Sequence, residues 1–133
     1  MNPKLLQEAE KLAAEVGHVF VATADPSGRT HIAAARTLSI TPENEVVIAD
    51  WFCPGTMQNL CSNHFLTIVA WNPATDYGFQ ISGELVDLKE LGMMNGYLPE
   101  MESHPIPQIE RQMVIRADKI IEFKIQPHSD VEQ

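Results

Sequence analysis

The sequence predicts a mainly β domain, a six-stranded, mostly antiparallel barrel with a helix packed at its front. Three observations point there. Short apolar runs follow one another in quick succession, separated by turns rich in Pro, Gly, Asn and Asp. Two of these runs, Val19-Phe20-Val21-Ala22 and Ile32-Ala33-Ala34-Ala35, are apolar on both faces. Strands of that kind are covered on both sides, as in a closed barrel that carries helices or a dimer partner. A single amphipathic helical pattern precedes them all.

That helix begins at Asn2-Pro3, where Asn caps and Pro suits the first helical position. Leu5, Ala9, Leu12, Ala13 and Val16 recur at helical spacing, and Gly17 ends the element. Strands are then expected over His18 to Ala24, Thr30 to Ile40, Glu45 to Trp51, Phe65 to Asn72 and Tyr77 to Leu88. Asp25-Pro26-Ser27-Gly28, Thr41-Pro42-Glu43-Asn44 and Asn72-Pro73-Ala74-Thr75-Asp76 connect them with turn chemistry. The stretch Leu88 to Gln112 breaks the pattern: Lys89 to Leu98 reads as helical, and Pro99, Pro105 and Pro107 then impose an irregular excursion. Met113 to Ile125 reads as the last strand, interrupted by a turn-like Arg116-Ala117-Asp118-Lys119. An OB-fold, the competing small barrel, would show a basic, aromatic binding face, and this chain is short of both.

At 133 residues the chain fits one domain, residues 1–133, with a single core. Nine basic against eighteen acidic residues give a net charge of −9, which argues against a nucleic-acid partner. The first ten residues are too charged for a signal peptide, and no apolar run approaches the roughly 20 residues that span a bilayer. Two cysteines, Cys53 and Cys61, lack metal spacing and would stay reduced in a cytosolic chain. The expected location is therefore the cytoplasm, with no membrane partner. Five scattered histidines show no zinc spacing, no metal site is expected, and no Ser-His-Asp or Cys-His set can be recognised.

The segment from Trp51 to Leu60 is the most informative one. A buried-type strand leads into Pro54-Gly55-Thr56, where Thr can cap a short helix before the next strand begins. Such a helix points free backbone N–H groups at whatever lies before it, and a phosphate suits them. Arg36-Thr37-Leu38, at the end of an earlier strand, can bring a cation and a hydroxyl to the same anion. Each residue also has a plainer reading. Thr56 caps the helix with or without a ligand, Trp51 serves as well in a core or interface, and Trp71 and His31 read first as structural.

Gly17 to His31 resembles the opening hairpin of the pyridoxamine 5′-phosphate oxidase-like, FMN-binding split barrels. Val46 to Trp71, with Gly55-Thr56-Met57-Gln58-Asn59-Leu60 at its centre, is similar to the flavin-phosphate loop of that family's short members. Tyr77-Gly78-Phe79-Gln80-Ile81-Ser82-Gly83-Glu84-Leu85 is similar to the next strand, and Ile115 to Ile125 to the last one. The resemblance covers roughly residues 5–88 and 113–125. It implies a homodimer with FMN held in grooves between the subunits. Arg36, Thr37 and Leu38 would then line the flavin from one strand, and Ala49, Asp50 and Trp51 would lie beside its ring. Gly55, Thr56 and Asn59 would meet the phosphate and ribityl end, with Trp71 and Gln80 as further contacts, across the dimer or within the chain.

One departure stands out. Short FMN-binding members often carry a Lys where this chain has Gly55, and a missing charge-assisted bond costs about 1.5–3 kcal/mol. Arg36 is the first candidate to supply the charge, with Arg111 or Arg116 from a second subunit next. No motif after Phe123 matches the pyridoxal phosphate-binding residues of the full oxidase, so true pyridoxamine phosphate oxidase activity is not expected. The expected function is a small FMN-dependent oxidoreductase, passing electrons from a nicotinamide or other donor to a small-molecule acceptor. The excursion's Met93, Met94, Tyr97, Leu98 and Met101 would form an apolar substrate wall or pack the dimer. The alternatives are a non-enzymatic flavin or haem carrier of the same fold and a deazaflavin-dependent reductase.

Overall fold

The structure, a computed structural model, describes residues 2–51, 54–93 and 109–126. The element order is α1 (Pro3–Val16), β1 (Val19–Ala24), β2 (Thr30–Ala35), β3 (Thr37–Ile40), β4 (Val46–Trp51), α2 (Pro54–Ser62), β5 (Phe65–Asn72), β6 (Tyr77–Met93) and β7 (Ile109–Glu122). All pairings are antiparallel, in one sheet of order β2-β1-β5-β6-β7-β4-β3.

The two edge strands of that order, β2 and β3, are consecutive in the chain and separated by Arg36 alone. A sheet can satisfy this only by curling until its edges meet at that residue. The result is a half-barrel, with β2 also touching β4. Seven strands therefore replace the expected six. The run from Thr30 to Ile40 divides at Arg36, because β2 pairs with β1 (Val19 opposite Ala35) while β3 pairs with β4 (Thr37 opposite Ala49).

Two further expectations are corrected. Lys89 to Met93 is strand, not helix, held by pairs such as Glu90 opposite Arg111 and Met93 opposite Ile109. The rest of the supposed helix, the proline-rich excursion and Met94, Tyr97, Leu98 and Met101 lie outside the described residues. Arg116 to Lys119 is not a turn but part of β7. The register shifts there, with Ser82 opposite Lys119 and Gly83 opposite Ala117, so Asp118 is the extra residue of a bulge. Gly83 lets β7 come this close, since a Cβ at that position would collide with the Arg116 carbonyl oxygen.

α1 follows its sequence signals. Asn2 Oδ1 accepts from the Lys4 N–H at 3.0 Å, and Gly17, at φ 93°, returns its N–H to the Ala13 carbonyl. Leu6, Ala9, Leu12 and Ala13 are buried against the sheet, where they join Val21, Ile48, Ile68, Phe79, Ile81, Met113 and Ile115. Burying a leucine such as Leu6 contributes about 1.5–3 kcal/mol. Two carboxylates hold the helix's orientation: Glu10 accepts the Ile40 N–H at 2.8 Å, and Glu8 accepts from the Tyr77 hydroxyl at 3.3 Å. Among the described residues, no helix is long and apolar enough to cross a membrane.

The opposite face of β1 and β2 is uncovered in the single chain. Phe20 is 45% exposed and Ile32 66%, with Ala34 opposite Phe20 and Ala22 opposite Ile32. Val69 of β5 adjoins Phe20 on the other side.

Candidate functional site

α2 begins at Pro54, with residues 52 and 53 between it and the end of β4 at Trp51, and a side-chain bond fixes its register against the sheet. Asn59 Nδ2 donates to Thr23 Oγ1 at 3.0 Å, and Thr23 is 3% exposed. At the far end, the Asn63 N–H returns to the Asn59 carbonyl, and Asn63 Oδ1 accepts the Phe65 N–H that begins β5.

The near end of α2 is where the chemistry gathers. Pro54 has no N–H, so the donors left free by helix geometry in the first turn are those of Gly55 and Thr56. The Thr56 side chain is fully buried, and its Oγ1 has no hydrogen-bond partner among the described residues. A buried hydroxyl without a partner costs about 1–3 kcal/mol, which marks it as waiting for a ligand or storing strain. α2 carries no charged residue from Pro54 to Ser62, so nothing on the helix opposes an anion at its positive end.

Directly across from this turn stands His31 of β2. A Cβ at Gly55 would lie 3.3 Å from both Cε1 and Nε2 of the His31 ring, so the imidazole fills the space that a larger residue at 55 would take. His31 pairs with Thr23 in the β1–β2 ladder, so β1, β2 and α2 meet at one place. Sequence reading took His31 as structural. The available signal was a lone imidazole sharing a strand face with the buried Ala33 and Ala35.

The other expected site residues fall in three groups. Arg36 and Thr37 are exposed at the joint between the sheet's edges, and Thr37 lies opposite Ala49. Arg36 thus sits beside the Asp50–Trp51 end of β4, which leads to α2, and it lines a small cavity of about 230 Å³ with Gly17, His18, Ala34 and Ala35. The Leu38 side chain is 5% exposed and belongs to the core, which leaves only its backbone to face a ligand. Asp50 and Trp51 continue β4, with Trp51 opposite Arg111 of β7.

Trp71 and Gln80 lie elsewhere. Trp71 sits six residues up β5 from Phe65, about 20 Å in extended chain, with its Nε1 donating to Asp76 and its ring edge-to-face with Phe123. Gln80 lies between Val69 and Ile121 in the middle of the sheet. Within one chain, neither joins the group around α2. Arg116, the reserve cation, is an exposed partner of Glu84 at 2.6 Å. A larger open cavity of about 320 Å³ lies outside β1, β5 and β6, lined by Ala22, Ala24, Thr30, Phe65, Thr67 and Ser82 among others. It contains none of the residues that the resemblance places on the cofactor.

No family model matches the chain, and no curated protein does either. Solved structures do. A crystal structure of an FMN-binding protein from Syntrophomonas wolfei superposes with a TM-score of 0.62 at 15% identity, covering 92% of this chain and 88% of that one. A protein related to general stress protein 26, of the pyridoxinephosphate oxidase family, from Clostridium acetobutylicum gives 0.61 at 18% identity, covering 94% and 97%. The fold is the pyridoxamine 5′-phosphate oxidase-like split barrel. The haem storage protein HutZ from Vibrio cholerae has the same architecture, with a TM-score of 0.56 at 12% identity over 89% of this chain and 93% of its own.

FMN can be tested against this site from its donors. A phosphate monoester needs several N–H or O–H groups and no adjacent carboxylate. The Gly55 and Thr56 N–H groups, the unpartnered Thr56 hydroxyl and the His31 ring provide such a set. The residues present fit the phosphate end of FMN.

Proposed function

We propose that this chain is an FMN-binding oxidoreductase that works as a homodimer, with the flavin phosphate at the start of α2. The observation that carries the reading is the buried, unpartnered Thr56 hydroxyl in the first turn of a charge-free helix. Its support is the split-barrel architecture, which this chain shares with proteins described as FMN-binding.

Bound FMN would supply the hydride or electron transfer, and the protein's share is position and electrostatics. Gly55 and Thr56 hold the phosphate, and the Asp50–Trp51 end of β4 offers backbone groups to the ring's polar edge. Arg36 adds an exposed cation at the joint of β2 and β3. The second subunit covers Phe20, Ile32 and Ala34, which otherwise leave an apolar sheet face in water. Trp71 and Gln80 would then reach the flavin only from the partner's side.

The testing experiment is the visible spectrum of protein purified without added cofactor, with mass spectrometry of any released small molecule. A flavin spectrum and released FMN are expected, with oxidation of a reduced nicotinamide by the loaded protein. FMN held without donor oxidation would make it a carrier. The likeness to HutZ favours one further occupant. A Soret band on haem titration, with no uptake of FMN, would replace the flavin reading by that one.

A further inference from the structure

The geometry points to His31 as the side chain that reads the ligand's phosphate, with Gly55 as the residue that makes room for it. This rests on the flavin reading above and deepens it by naming what recognises the anion. The argument has three steps. First, the helix start alone offers two backbone donors, from Gly55 and Thr56, and no charged group. Second, the Thr56 hydroxyl is 0% exposed and unpartnered within that same turn, so the chain has placed a polar atom there that its own fold does not use.

Third, Cε1 and Nε2 of His31 come so close to Gly55 that even a methyl group there would have to displace the ring by a few tenths of an ångström. Nε2 is the outermost ring nitrogen and a donor when it carries the proton. It therefore lies at the helix start, beside the first-turn N–H groups, and the three heavy atoms nearest the Gly55 Cβ position all belong to its ring. β2 has no freedom to withdraw it. His31 is held in register opposite Thr23, and Thr23 is bonded to Asn59 of α2. The strand that carries the ring and the helix start are thus tied together, which is what a preorganised anion site requires.

The test compares FMN with riboflavin, which differs only in lacking the phosphate. In the full-length dimer, His31→Ala should weaken FMN about ten- to hundredfold and leave riboflavin affinity unchanged. His31→Gln, which keeps an N–H donor, should recover part of the loss. Gly55→Ala should cost FMN several-fold by moving the ring. Equal losses of FMN and riboflavin in His31→Ala, or unchanged FMN affinity, would overturn the inference. Should the wild-type protein bind neither flavin, the flavin reading itself fails, and inorganic phosphate then tests His31 separately. In wild-type protein followed by NMR, a shift of the His31 ring signals on adding phosphate would uphold the site, and silence would end it.

Discussion

Asn59 reaches across to Thr23, its Nδ2 donating to the threonine Oγ1 over 3.0 Å between residues 36 positions apart. This bond does two things at once. It satisfies a hydroxyl that is buried in the wall of the barrel, and it fixes the angle at which α2 presents its first turn to β2. Asn59→Ala would leave the Thr23 hydroxyl without its donor, at a cost of about 1–3 kcal/mol in folding stability. Chemical denaturation measures that loss. Thr23→Val combined with Asn59→Ala should restore most of it, because both polar groups are then gone. If the double variant is as unstable as the sum of the two single ones, the bond is not what couples them.

Asp76 offers a pH signature at the other end of the sheet. Its carboxylate accepts the Ile125 N–H at 2.7 Å, the Gln126 N–H at 3.0 Å and the Trp71 indole N–H at 3.2 Å. These bonds, led by those from Ile125 and Gln126, hold its pKa below the ordinary aspartate value, against an opposing push from desolvation. A depressed folded-state pKa means that the charged form is favoured in the folded protein. The stabilisation is therefore complete above the usual aspartate range and is lost as pH falls through the lowered value. Asp76→Asn keeps a residue tolerant of the positive φ of 50° found there. It should be less stable than wild type at neutral pH, and the gap should close as pH falls through the lowered value. A gap that stays constant from pH 7 to 2.5 would show that the charge plays no part.

What the sequence makes legible here is local. Asn2, Pro3 and Gly17 mark α1 because caps and propensities act within a turn, although its stripe centres on Leu6 as much as on Leu5. The turns at 25–28, 41–44 and 72–76 follow from their own side chains, such as Asp25 Oδ1 accepting from Ser27 and Arg29. The break at Arg36 has no local signal. Ala35-Arg36-Thr37 contains neither Gly nor Pro, and the chain divides there because its two halves pair at opposite edges of a curled sheet. The bulge at Asp118 is misleading for the related reason that one extra residue shifts the alternation and imitates a turn. His31 beside Gly55 is a contact between a strand and a helix far apart in sequence, so it waits for the fold.

The exposed apolar face gives a prediction about assembly. Ile32 is 66% exposed, and its ladder neighbour Ala22 adds to the same surface, so a change at 32 disturbs little within one chain. In a dimer that covers this face, a glutamate there would be stripped of water without a partner. Ile32→Glu should therefore keep the thermal unfolding of a folded chain while converting a dimer to a monomer in sedimentation velocity. Flavin affinity should fall with it, since half of the groove is removed. A variant that still sediments as a dimer would place the interface elsewhere.

Thr56 separates binding from folding most cleanly, because the two effects of one substitution have opposite signs. Its hydroxyl is buried and unpartnered, so the folded protein already bears the cost of desolvating it. Replacing it with the nearly isosteric valine removes that cost and leaves the packing and the helix propensity essentially unchanged. Thr56→Val should therefore be as stable as wild type without ligand, or more stable by about 1 kcal/mol, when measured by urea unfolding. The same variant should bind FMN more weakly by about tenfold, because the phosphate loses an O–H donor. Thr56→Ser, which keeps the hydroxyl, should retain most of the affinity. If valine at 56 destabilises the free protein and leaves FMN binding unchanged, the hydroxyl serves the fold, and the phosphate belongs at another part of the barrel.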